Sequence, residues 1–177
     1  MRQPLFASLP SPPLAARTAN APRVDTLPLA LAGAAMGIAD LLVAIAYWWP
    51  AGVAPIRIPQ SIAAWVLGPG PALAGGLATA ALGVLVYCGL TAAMPPLYRR
   101  LATRSSLLLR RPLACGALFG VAMYVLLFQV IAPLLVPPAR PQAPEWIATC
   151  VVAYVALIGV PCAWLARATL PRARRQR

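Results

Sequence analysis

Chemistry in this chain would have to begin at Asp40. It is the one carboxylate lying inside an apolar stretch, and the chain holds only three acids, Asp25, Asp40 and Glu145. A carboxylate surrounded by hydrocarbon costs several kcal/mol unless it is paired, hydrated or protonated. Three arrangements meet that cost. The acid could be protonated and staple neighbouring helices, it could serve a proton, cation or polar substrate, or Arg57 could fold back to pair with it. Depth supplies candidate partners. Asp40 precedes Trp49 by nine residues, about 13 Å from the end of its stretch at 1.5 Å per residue. Counted the same way, Thr79 and Gln129 lie about 10 Å deep and Tyr154 about 13 Å. One polar residue per stretch thus defines a candidate intramembrane polar site of Asp40, Thr79, Gln129 and Tyr154, with Arg57 and Gln60 as candidates in the connection beside it.

Enzyme templates fail against this inventory. The chain has no His for metal binding or base work, and no second acid at the depth of Asp40. Neither G-x-S-x-G nor GxxxxGK[ST] occurs, and Ser105 and Ser106 stand in a basic loop without a base. Cys88, Cys115, Cys150 and Cys162 each fall within an apolar stretch and none has CxxC spacing. They read as small packing residues rather than a disulfide framework or zinc site. No metal, cofactor or enzymatic activity is expected.

The elements that must position Asp40 are four long apolar helices. The first runs from 27 to 49 and ends in Tyr47-Trp48-Trp49, an aromatic cluster suited to a membrane interface. The others run from 72 to 94, stopped by Pro95-Pro96, from 112 to 136, followed by Pro137-Pro138, and from 145 to 166. Each is long enough to cross about 30 Å of hydrocarbon. Composition agrees, with 61% of residues apolar and 10% charged. A soluble domain carries about a quarter charged residues because its surface faces water. The fold class is therefore an all-α integral membrane protein, a four-transmembrane-helix bundle, with residues 1–25 a disordered tail rich in Pro and Ala and residues 168–177 a basic tail.

The arginines orient this bundle. The net charge of +12 comes from fifteen Arg and no Lys. Such a charge on a soluble chain would point to nucleic acid, but here the arginines sit between and beyond the apolar stretches. Arg2, Arg17 and Arg23 precede the first, Arg99, Arg100, Arg104, Arg110 and Arg111 separate the second from the third, and Arg167, Arg172, Arg174, Arg175 and Arg177 follow the fourth. The remaining connections hold only Arg57 and Arg140. Excess Arg marks the cytoplasmic side, so both termini are expected there, with anionic lipid headgroups as partners of the basic loop and tail.

Between the first two stretches, Ile58, Ile62, Trp65 and Val66 fall on one helical face, with Arg57, Gln60 and Ser61 supplying the polar side. This short helix would lie at the outer interface or re-enter between the spans. Small residues recur every fourth position, as in Gly33/Gly37, Gly75/Thr79/Gly83, Gly76/Ala80 and Gly116/Gly120. Such spacing lets helices approach closely in lipid, within one chain or between copies in a homo-oligomer. The segment Gly33 to Ala39 also parallels Gly116 to Ala122 at an offset of 83, the weak trace of two repeated helix pairs.

From Gly37 to Gly83 the chain resembles uncharacterised four-helix bacterial membrane proteins related to the YagU-like inner-membrane family. The resemblance rests on Asp40, on Pro55-x-Arg57-Ile58-x-Gln60-Ser61-Ile62-Ala63 and Leu67-Gly68, and on the run from Gly75 to Gly83. It continues in Gly116-x-x-x-Gly120 and in Val130-x-x-Pro133-Leu134. It implies a bacterial inner-membrane location and no substrate or reaction. That family's pattern has a His at the position of Cys88 and an Asn near Phe128, so a polar site built from those residues would be incomplete here. The functional expectation is a multi-pass, non-enzymatic inner-membrane protein with a small polar site around Asp40. The alternatives are a small oligomeric transporter or proton-coupled channel, and an accessory or assembly subunit of a larger membrane complex.

Overall fold

The computed structural model describes residues 26–137 and 142–170, and every regular element among them is helical. The proposed disordered tail at 1–25, Arg140 and residues 171–177 lie outside the described residues. Four helices are long and apolar enough to cross a membrane: Thr26–Ala51, Gly76–Arg104, Pro112–Leu135 and Pro144–Thr169. The protein is thus built as a multi-pass membrane protein. Its exterior supports this, because Leu77, Leu85, Leu118 and Leu134 are between 70% and 79% exposed. Large apolar side chains face outward while glycines and tyrosines face inward, the arrangement lipid favours.

The second long helix differs from its expected 72–94 limits at both ends. A separate turn, Pro69–Ala74, precedes it, and the chain breaks at Gly75-Gly76 before the helix runs from Gly76 to Ala92. Gly76 adopts φ +58°, a left-handed conformation that an L side chain rarely takes. At the other end Pro95 and Pro96 do not stop the helix. After a turn at Ala93 they occupy the first turn of Met94–Arg104, where a missing N–H costs nothing.

Two other prolines shape the third and fourth long helices. Pro133 and Pro161 cannot donate to the carbonyls four residues earlier, and their rings crowd those carbonyls. Immediately before each proline the helix widens into a π segment, Val125–Ile131 in the third and Tyr154–Gly159 in the fourth. Wide turns of this kind re-aim side chains and are frequent at functional sites.

Close helix contacts within the chain use Gly33/Gly37, Gly83 and Gly116/Gly120, whereas a Cβ on Gly76 would meet nothing within 4 Å. Gly33 and Gly37 pack against Thr91, and a Cβ on Gly33 would stand 2.8 Å from Pro95 Cδ. Gly116 and Gly120 meet the backbone of the fourth helix, where a Cβ on Gly120 would stand 2.7 Å from the Tyr154 carbonyl oxygen. Gly83 receives the Pro59 carbonyl of the short helix. The arginines segregate as the helices run antiparallel. Arg57 belongs to the end bearing Trp48 and Trp146, and Arg99, Arg100, Arg104, Arg110, Arg111 and Arg167 to the opposite end. Near that arginine-rich end Tyr98, Phe119, Ile158 and Cys162 share one buried cluster.

Replacing Gly120 with Ala should therefore destabilise the bundle by about 1–3 kcal/mol, the usual cost of overpacking. Gly89 has open space where its Cβ would be, so Gly89→Ala should be neutral or stabilise by up to about 1 kcal/mol. Reversible unfolding in mixed micelles checks both values, and equal effects at the two positions would contradict this packing.

Candidate functional site

Asp40 sits in the middle of the first long helix and is only partly buried. Tyr87 of the second helix donates a hydrogen bond to Asp40 Oδ2, and the Tyr87 and Tyr154 hydroxyls lie 2.8 Å apart. A phenol has one proton to give. Since Tyr87 spends its proton on Asp40, Tyr154 is the donor in the second bond. The chain Tyr154 to Tyr87 to Asp40 joins three helices and directs two successive hydrogen bonds toward one carboxylate. Both phenols are about 1% exposed, so these bonds have little competition from solvent.

This carboxylate forms the floor of a cavity of about 280 Å³. Asp40 lies eight residues from Trp48, and Tyr154 eight residues from Trp146. At helical rise each separation is about 12 Å. Trp48 and Trp146 line the cavity too, and their ring centroids are 5.4 Å apart. The cavity therefore runs from a tryptophan pair at one end of the bundle down to the Asp40–Tyr87–Tyr154 floor.

The short helix Arg57–Leu67 supplies a wall. Its Ile58, Ser61, Ile62 and Trp65 line the cavity, which accounts for the apolar periodicity of the sequence except at Val66, which is exposed. Ile62 clusters with Leu41 and Tyr87, and Trp65 meets Phe128 edge-on at 5.6 Å. Phe128 belongs to the π segment before Pro133 and stands edge-on to Tyr154 at 5.8 Å. The proline-widened turns thus bring Phe128 and Tyr154 together at the floor.

The remaining sequence candidates form a second polar knot. Gln60, expected on the polar side of the short helix, is buried instead at 2% exposure. Its amide donates to the Gly76 carbonyl at 3.0 Å and to Thr79 Oγ1 at 3.4 Å. Thr79 Oγ1 donates to the Ala72 carbonyl at 2.7 Å. Arg57 donates to the Leu73 carbonyl at 3.0 Å and to Gln60 Oε1 at 3.2 Å. Thr79 and Arg57 thus take up the Ala72 and Leu73 carbonyls that the Gly75-Gly76 break releases from helical pairing, while Gln60 ties the short helix to the first residue of the second long helix. Arg57 is engaged there, and the pairing of Arg57 with Asp40 entertained above does not occur. Gln129 donates to Tyr124 Oη at 2.9 Å, a partner five residues away that the wide π turn carries onto the same face. Tyr124 in turn packs edge-on against Tyr154 at 5.8 Å.

Of the four candidates, then, Asp40 and Tyr154 join through Tyr87, Gln129 stands one ring away, and Thr79 belongs to the knot at the helix break. Counted from residue 72, Tyr87 lies too deep to be a partner of Asp40, whereas the helix proper begins at Gly76. The two prolines inside the third and fourth stretches were the available signal for Phe128 and Tyr154. All four cysteines are free thiols, and Cys150 lines the cavity. Among the described residues no cluster of three or more His, Cys, Asp or Glu could hold a metal ion. No family model, curated protein or solved structure matches the chain.

The floor and the knot should be energetically separate. In double-mutant cycles of unfolding, Asp40→Asn and Tyr87→Phe should couple by at least about 0.5 kcal/mol, as groups sharing a hydrogen bond do. Asp40→Asn and Gln60→Leu should instead be additive within about 0.5 kcal/mol. Gln60→Leu alone should cost about 0.5–1.5 kcal/mol, the usual net contribution of a lost hydrogen bond. Coupling between Asp40 and Gln60 would refute the division into two networks.

Proposed function

We propose that this chain is a bacterial inner-membrane protein with both termini in the cytoplasm that binds a small ligand, without transforming it, in the pocket above Asp40. The observation that carries this reading is the cavity itself. It has a charged floor held by two phenols, aromatic walls, and an end between Trp48 and Trp146. Ligand pockets are typically apolar with a few convergent polar groups, and this one has that character. The floor joins one carboxylate to two phenols, and the chain offers no His or neighbouring acid for acid–base work.

The arginine distribution supports the orientation, and with it a pocket that faces away from the cytoplasm. The likeness to the YagU-like proteins agrees with an inner-membrane location and leaves the ligand open. The basic loop from Arg99 to Arg111 is suited to anionic lipid headgroups. In this reading the short helix is re-entrant. Its Ile62 packs on Leu41, about 10 Å along the first helix from Trp48 by helical rise, and its polar backbone is sheltered by the second helix, as hydrocarbon demands. A buried block that includes Tyr98, Phe119, Ile158 and Cys162 fills the bundle between the floor and the opposite end. That block favours a binding pocket over a through-going transport path, which would require those side chains to part.

Two measurements check this. Native mass spectrometry of protein released from its own membranes should show a small-molecule adduct that disappears in Ala44→Trp, a substitution that fills the cavity. Identical spectra for the two proteins would sink the ligand-binding reading. In chains with alanine at the native cysteines, Gln142→Cys should react with an impermeant maleimide on intact spheroplasts, and Thr103→Cys only after permeabilisation. The reverse pattern would invert the topology.

A further inference from the structure

Resting on that pocket-binding reading, we propose that the ligand is a small organic ammonium ion, recognised by the Asp40 carboxylate below and by aromatic faces around it. Charge is the first argument. Among the described residues Asp40 is the one formally charged side chain lining the cavity, and no described arginine lines it. Arg57, the nearest cation in sequence to the short helix's cavity face, is directed to Gln60 and the Leu73 carbonyl. The partners of Asp40 are neutral phenols, so the carboxylate is oriented and hydrogen-bonded without being neutralised. A cation entering the cavity supplies the missing countercharge.

Aromatic geometry is the second argument. Trp48, Trp65, Phe128 and Trp146 all line the cavity. Trp65 and Phe128 are inclined by 70°, and Trp48 and Trp146 by 61°. Inclined pairs present ring faces in different directions around one volume. A ring face carries the negative end of the quadrupole and attracts an ammonium group, tryptophan most strongly. The hydroxyls argue the same way. Ser61 already donates to the Ile58 carbonyl at 2.7 Å, and Thr149 to the Glu145 carbonyl at 2.8 Å. Their oxygens can accept from a ligand, whereas their protons are engaged.

A metal cation fits poorly. One carboxylate does not make a coordination sphere for a hard ion, and a hydrated ion gains little from indole walls. An anion would meet Asp40 without a cation among the described lining residues to offset it. An alkylated ammonium ion matches both features, since it needs few hydrogen-bond acceptors and its methyl groups carry the charge onto the aromatic faces. The ammonium could belong to a free amine or to a lipid headgroup, and the test below separates them.

The test uses the full chain in nanodiscs of phosphatidylglycerol, which carries no ammonium. Choline and its neutral isostere 3,3-dimethylbutan-1-ol are titrated against tryptophan fluorescence, since Trp48, Trp65 and Trp146 line the cavity. Choline should give a saturable change, with the isostere at least tenfold weaker. Asp40→Asn should weaken choline at least tenfold, Asp40→Glu should retain most of the affinity, and Trp65→Leu should lose several-fold. Should Asp40→Asn unfold, Ser61→Lys leaves the acid in place and sets a tethered ammonium at the wall, so it should abolish choline binding. Adding phosphatidylethanolamine to the nanodiscs assigns the occupant. Competition with choline identifies a headgroup site, its absence a site for a free amine, and both support ammonium recognition. Equal binding of choline and the isostere, unaffected by Asp40→Asn, would overturn the ammonium proposal and keep the pocket. No response to either probe, together with identical mass spectra for wild type and Ala44→Trp, would overturn both readings.

Discussion

Hydrocarbon offers no water to a backbone group, so each carbonyl released by a break in a membrane helix must be taken up by the chain itself. That constraint organises this fold. At the Gly75-Gly76 break Thr79 and Arg57 take up the freed carbonyls of Ala72 and Leu73, and Gln60 bonds Thr79 and the Gly76 carbonyl beside them. Two of those side chains come from the short helix, so meeting the demand also fixes that helix against the second long one. Pro59 then seats on Gly83, and the opposite face of the same helix becomes a wall of the cavity. A local backbone problem is thereby converted into the shape of a pocket.

The same demand explains the floor. Pro133 and Pro161 each deprive an earlier carbonyl of its helical partner, and the helices answer by widening one turn before each proline. Widening is a cheap adjustment in a membrane helix, because neighbouring helices can satisfy what is freed. Its consequence is geometric. The wide turns carry Phe128 and Tyr154 into contact, and they let Gln129 reach Tyr124 across five residues. Fully buried tyrosines then replace water as the donors available to Asp40.

These relations explain what could be read from sequence. Four helices were legible because lipid imposes a length and an apolar composition that short-range signals cannot mimic. Asp40 stood out because charge is so costly at that depth. Arg57, Gln60 and Thr79 were recognisable as unusual, but their role was not, since it depends on where a helix breaks rather than on which residues compose it. Gly75 and Gly76 each read as one more member of a small-residue series, with Thr79 and Gly83 and with Ala80. The pairing of Asp40 with Tyr87 escaped for a related reason. Depth counted along a helix is only as good as its origin, and the four-residue displacement from 72 to 76 moves Tyr87 about one turn nearer the level of Asp40. Rotation about the helix axis, which decides whether two side chains at one depth meet, has no sequence signal in a helix that is apolar all round.

The choice of phenols as partners for the acid has a consequence that an arginine would not have. A buried ion pair is self-contained, and a ligand approaching it must compete with one of its members. Tyr87 and Tyr154 instead lend direction and hydrogen bonds while leaving the charge of Asp40 unopposed. The fold had a cation within reach in sequence, and it commits Arg57 to the helix break. Using Arg57 on the Leu73 carbonyl and the tyrosines on the carboxylate leaves Asp40 without a countercharge among the described residues of the cavity wall. An unbalanced site is less stable empty than a paired one, and that stored deficit is what a complementary ligand can recover.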